Sequence, residues 1–323
     1  MTSALTLLAY AALLASAGPR LLMRGGWTER APRLGIIAWQ AVSVSVVASA
    51  VLAGLALLVP TVRVSAGLAN LLRACVTALR DQYATPGGAT TAAAGAVFAL
   101  AVLARAAWCV TAALATAVRD RARHDDALSL VATPAFPGVV VLDHDEPAVY
   151  CLPGRHRRIV VSSGALRLLD DEQLTAALAH ERAHMDQRHD LVLAWSKGIS
   201  KAFPKLRLFS RAHEETVRLV ELLADDTAAR SVERLTLAEA LLNLAGAPTP
   251  AAALGAGGST AAVRVRRLIA PHRPLGRVRG ALASTSAAVL LALPLIALAG
   301  PAVAAGHLQY CPPGSAAVGS AIR

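Results

Sequence analysis

The stretch DDEQLTAALAHERAH, Asp170 to His184, decides how the rest of the chain is read. Asp170 can cap a helix, with Gln173 three residues on as in a capping box, and Leu174, Ala177, Leu178 and Ala179 carry the helix on to about Arg188. Inside it stands His180-Glu181-Arg182-Ala183-His184. Histidines four residues apart lie one above the other on one helical face, so both imidazoles can reach one ion, with Glu181 close beside it. Zinc hydrolysis needs that geometry. Two neutral imidazoles leave room for a third protein ligand and a water, and one Zn²⁺ lowers the pKa of that water from about 15.7 to near 7. Glu181 can then serve as general base, taking a proton as the water attacks a peptide carbonyl and passing it to the leaving amine. Five matching residues also arise by chance on a helix with two surface histidines, so the surroundings decide the weight of the motif.

Upstream, three runs rich in β-branched residues read as strands: GVVVLD from Gly138, AVYCL from Ala148 and RIVVSS from Arg158. His144-Asp145-Glu146-Pro147 and Pro153-Gly154 separate them as turns, which predicts a small meander. Downstream, helical patterns run from about His213 to Arg230 and from Thr236 to Leu244, and Gly246 to Ser259 reads as a loop. Gly255-Ala256-Gly257-Gly258 follows no strand, so it carries no phosphate-loop reading. Two downstream clusters compete for the third ligand. One is His213-Glu214-Glu215, which is also a simple solvated helix start; the other is Glu221-Leu222-Leu223-Ala224-Asp225-Asp226, where Glu221 and Asp225 share a face and Asp225 could orient a ligand histidine. Charge alone does not choose between them.

Composition places this insert in a membrane protein. The 323 residues are 55% hydrophobic and only 16% charged, with a mean hydropathy of +0.50, too apolar for an ordinary soluble domain. Disorder is excluded, and four Cys are too few for a disulfide scaffold. Spans are expected at about 3–23, 34–59, 91–118 and 281–305. The first is read as a retained span rather than a signal peptide, because no positive charge precedes it. Residues 20–33 hold four Arg and one Glu, and Arg119-Asp120-Arg121-Ala122-Arg123 and Arg273, Arg277 and Arg279 flank the long insert. These ends are expected in the cytoplasm, leaving the N-terminus and the tail 306–323 outside. The six Arg from Arg264 to Arg279 are accounted for by an anionic inner leaflet, and no direct nucleic-acid binding is expected. Arg105, mid-span, is costly in lipid and should face the bundle or a wet cavity. The insert, 119–280, carries 19 of the 21 acids and every Lys, so it is the expected soluble domain.

An apolar strand into Ser162-Ser163-Gly164, a helix with His180-Glu181-x-x-His184, then Glu221-x-x-Ala224-Asp225: this order resembles the membrane-embedded zinc peptidases of gluzincin type. Three spans before the insert and one after are similar to the BlaR/MecR-type antirepressor peptidases rather than to the HtpX and CAAX-protease group. The resemblance implies a multi-span α-helical membrane protein with a cytoplasmic α+β minigluzincin-like zinc peptidase domain inserted between the third and fourth transmembrane helices. It implies His180, His184 and Glu221 as zinc ligands, Glu181 as general base and Asp225 as a supporting residue. The strand Arg158, Ile159, Val160, Val161 and Ser162 resembles the edge strand on which such peptidases lay an extended substrate. A cytoplasmic repressor is the implied substrate. The β-lactam sensors of this type carry a penicillin-binding domain after the last span; this chain ends at Arg323, so direct antibiotic sensing through such a domain is not expected.

Cys75 and Cys311 both fall outside in this topology, where they are expected to pair as a disulfide, whereas Cys109 and Cys151 read as a span residue and a strand residue. His189-Asp190, just past the motif, could stabilise an oxyanion, although a histidine at a helix end is more simply structural. Two other functions fit the same residues: a signalling scaffold with a structural zinc site, and a housekeeping protease that clears damaged membrane proteins. Glu181 argues against the scaffold, because a structural site needs no base beside its metal.

Overall fold

The computed structural model describes residues 2–58, 84, 86–154, 156–245, 254–255, 261–271 and 275–307, with 254–255 and 298–307 by backbone alone. In chain order the elements are α1 (Thr2–Met23), α2 (Trp27–Arg30), α3 (Pro32–Leu58), α4 (Gly88–Val131), β1 (Ala132–Phe136), β2 (Val139–Leu142), β3 (Val149–Leu152), β4 (Arg158–Ser162), α5 (Ser163–Leu168), α6 (Asp171–Asp186), α7 (His189–Ala202), α8 (Arg207–Ala228), α9 (Arg234–Leu244), β5 (Leu254–Gly255), α10 (Ala261–Ile269) and α11 (Arg277–His307). Among the described residues, Thr2–Arg30, Pro32–Leu58, Gly88–Val131 and Arg277–Ala297 are long and apolar enough to cross a membrane. Contacts divide the chain into two compact units: Met1–Ala12, Ser45–Leu103 and Leu290–Arg323 in one, Leu13–Val44 and Ala104–Val289 in the other.

The first unit is built from apolar helices. Ala4 and Leu7 pack on Ala53, and α3 meets α4 at Gly54 and Gly95. A Cβ on either glycine would collide with the carbonyl oxygen of the other, so only glycine permits this approach. Small residues at such crossings suit lipid, where close backbone packing replaces hydrophobic driving force. Tyr10 and Ser45 both donate to the carbonyl of Leu290, at 3.1 and 2.7 Å, adding polar attachments between helices.

The second unit holds the sheet, ordered β1-β2-β4-β3-β5 among the described residues. Its alternating side chains fill two cores. Val139, Val149, Cys151, Ile159 and Val161 face one way, toward Ala177, Leu178 and Met185 of α6 and Ala240 and Leu244 of α9. Val140, Tyr150, Leu152 and Val160 face the other way, toward Leu128 of α4. Covering both faces explains why these strands are apolar without alternation. The meander expectation is corrected: β2 pairs with β4 in parallel, and β3 pairs antiparallel on the far side of β4. The substrate-edge expectation for Arg158–Ser162 falls with it, since β4 lies inside the sheet with a neighbour on each side and four of its five residues buried. Several further features were not anticipated, among them α7, α10 and β5, the last inside the expected loop 246–259. The helix expected to end near residue 118 runs on to Val131, and β1 follows it directly. Arg105 donates from Nε to the carbonyl of Ala202, the last residue of α7, so its charge meets a helix C-terminus.

Candidate metal centre and active site

Asp170 caps α6 as expected, its Oδ1 accepting from the Gln173 N–H at 2.8 Å. The Gln173 side chain does not reach back; its Oε1 accepts instead from Asn243 at 3.0 Å. From this anchored start the helix places His180, Glu181 and His184 in the interior, at 1, 2 and 0% exposure. Helix α8, whose apolar stripe includes Leu219, Val220 and Leu222, presents Glu221 and Asp225 to the same place.

The three candidate ligands converge. The Nε2 atoms of His180 and His184 are 3.1 Å apart, and the Glu221 carboxylate oxygens lie 3.6 Å from the first and 3.5 Å from the second. Bonds of about 2.0–2.1 Å at tetrahedral angles place ligand atoms about 3.3 Å apart, so this spacing fits zinc. Each histidine is held through its other nitrogen. His180 Nδ1 lies 3.1 Å from Asp225 Oδ1, and His184 Nδ1 lies 3.1 Å from His189 Nδ1. With Nε2 turned to an ion, Nδ1 of each ligand carries the proton, so Asp225 and His189 are the acceptors. The cluster His213-Glu214-Glu215 does not come to this site: Ser196 Oγ meets His213 Nδ1, Glu214 pairs with Arg211, and Glu215 binds Arg218.

Glu181 sits between the ligand pair and the sheet. Its Oε2 accepts from the backbone N–H of Cys151 at 2.8 Å, so β3, not β4, is the strand beside the carboxylate. The other edge of β3 pairs with β5 at Tyr150 and Cys151. Burial pushes the Glu181 carboxyl up to about 7, against the pull of His180 and the hydrogen bond from Cys151. Burial acts in the same sense on Glu221, but His184, His180 and Arg264 overcome it and hold this carboxyl down at about 2. Two carboxylates in one site are thus driven apart: one stays ionised as a ligand must, and the other has the basicity of a proton carrier.

Arg264 is the residue that sequence reasoning missed. It is 1% exposed, and its Nε and Nη2 donate to the two oxygens of Asp225 at 2.9 and 2.7 Å. Its Nη1 lies 2.9 Å from Glu221 Oε2. Asp225 is held well below its usual range: burial opposes this, and Arg264 outweighs it. The run of six Arg concealed this one residue among charges assigned to a lipid surface. The available signal was periodicity, because Arg264 stands four residues before Leu268, and both are buried on α10.

The chemistry of this constellation is that of a metallopeptidase. Residues 111–210 match the model of peptidase family M48. The match takes in the sheet strands β1 to β4 and the helix with His180, Glu181 and His184, and stops short of Glu221. It supports a metallopeptidase of the M48 family, a hydrolase group that is typically zinc-dependent, in keeping with the His180, His184 and Glu221 cluster. No curated protein and no solved structure gives a significant match. The M48-type match does not reach the narrower BlaR/MecR type. Cys75 and Cys311, expected to pair, lie outside the described residues.

Proposed function

We propose that the chain is a membrane-bound zinc endopeptidase of BlaR/MecR type whose cytoplasmic domain, about 119–280, cleaves a protein substrate, with a cytoplasmic transcriptional repressor as the implied one. The observation that carries the reading is the convergence of two imidazole Nε2 atoms and one carboxylate beside a second, buried carboxylate of raised basicity. His180, His184 and Glu221 would hold the ion, which supplies an acidified water and an electrophile for the substrate carbonyl. Glu181 takes the proton from the attacking water and delivers it to the leaving amine. Asp225 and His189 fix the two imidazoles, and Arg264 keeps Asp225 and Glu221 ionised. Four candidate spans support attachment to the membrane, and the Arg-rich stretches 20–33, 119–123 and 273–279 support a cytoplasmic domain with both termini outside.

Purified chain in detergent tests this with β-casein as substrate. Cleavage should stop with 1,10-phenanthroline and return with added Zn²⁺; cleavage that persists in the chelator would overturn the reading. Substrate capture with Glu181→Gln in cells then resolves the role. One dominant DNA-binding protein supports repressor cleavage, and a broad set of membrane proteins supports housekeeping clearance.

A further inference from the structure

A groove of about 1110 Å³ lies beside the metal centre, between the start of α3 and the C-terminal ends of α6 and α8. Arg30, Arg33 and Arg230 line it, all exposed, and their side chains make no hydrogen bond or ion pair among the described residues. The two carboxylates on its wall are already engaged: Asp186 with Arg157, and Asp226 with Arg267 at both oxygens. His189 completes the lining. It is 2% exposed, and its Nε2 has no hydrogen-bond partner although its Nδ1 meets His184. With Nδ1 accepting from a metal-bound His184, as proposed above, Nε2 bears the hydrogen. A buried donor without an acceptor is costly, which points to a missing acceptor on this wall. Among the described residues, the side-chain charges left unpaired on this wall are therefore the three guanidiniums.

The position selects the ligand. Arg30 and Arg33 flank Pro32, the first residue of a candidate membrane span, and Ile36 and Ile37 follow on the same wall one turn into it. Guanidiniums at the end of a span above apolar side chains match a phosphate above an acyl chain. We infer that this groove binds the phosphate-bearing headgroup of an anionic membrane lipid. The inference rests on the membrane placement and, for His189, on the metal ligation proposed above, and not on peptidase activity.

Native mass spectrometry of the full chain in neutral detergent, titrated with phosphatidylglycerol, phosphatidylcholine or inorganic phosphate, tests it. One phosphatidylglycerol should bind in preference to phosphatidylcholine, and R30Q/R33Q/R230Q should weaken that binding by at least about tenfold, on the scale of charge attraction near a lipid surface. R277Q/R279Q, at the start of another span, should change it by less than about twofold. An equal loss in both variants, which would mean general surface charge, overturns the site. So does equal binding of phosphatidylcholine, and so does binding of inorganic phosphate as tight as that of the lipid. Since no cleavage is measured, failure here leaves the casein and chelator result standing, and the reverse also holds.

Discussion

The Glu181 carboxylate accepts a hydrogen bond from the backbone N–H of Cys151 at 2.8 Å, tying the base on α6 to the strand β3. Burial raises this carboxyl to about 7, and only its ionised form can take a proton from water. Activity should therefore fall as pH drops through the Glu181 pKa, with a bound cation drawing that pKa down from the metal-free value. The acid limb of kcat/KM is expected above the usual carboxylate range and no higher than about 7. A profile flat down to pH 5 would contradict it.

His189 meets His184 through Nδ1 as Asp225 meets His180. Removing such a partner typically costs 10–100-fold in metal affinity. Chelator competition should show a loss of about this size in His189→Leu. His213→Leu should retain wild-type affinity, because that ring bonds Ser196 away from the ligands. Equal behaviour of the two variants would remove His189 from the site.

The ligand choice between the two acidic clusters separates cleanly on metal content. Glu221→Ala should purify with little zinc, whereas Glu214→Ala, whose carboxylate is 60% exposed and paired with Arg211, should carry a full complement. The opposite result would mean that α8 is wrongly aligned with α6.

Arg264→Met leaves the buried carboxylate of Asp225 without its bidentate partner and strips one contact from Glu221. Breaking a buried pair on one side costs about 3–5 kcal/mol, against about 0–1 for a surface pair. Denaturant titration in detergent should show a large loss for this variant. Arg207→Gln, a charge change at an exposed position on α8, should show almost none. A small effect of Arg264→Met would mean that the α10 arginine does not hold the carboxylates.

Much of this was legible in the residues. The capping Asp170, the histidine pair and Glu181 read directly because helical spacing alone brings them together, and the hydropathy of the spans follows from length and composition. The sheet was read only in part. The Val139, Val149 and Ile159 runs announce strands, but continuous apolar sequence does not say which strand lies between which, and the runs do not show that Leu128 of α4 covers the far face of the sheet. That is why the edge was assigned to β4. Arg264 and His189 act through partners 39 and 5 residues away, and sequence distance carries no sign of such contacts.

The most direct test of the central claim is Glu181→Gln, measured for zinc content and for cleavage of β-casein in the same preparation. The account predicts zinc retained at the wild-type ratio, because Glu181 is not among the converging ligand atoms, and cleavage abolished. Undiminished cleavage by the zinc-loaded variant would contradict it.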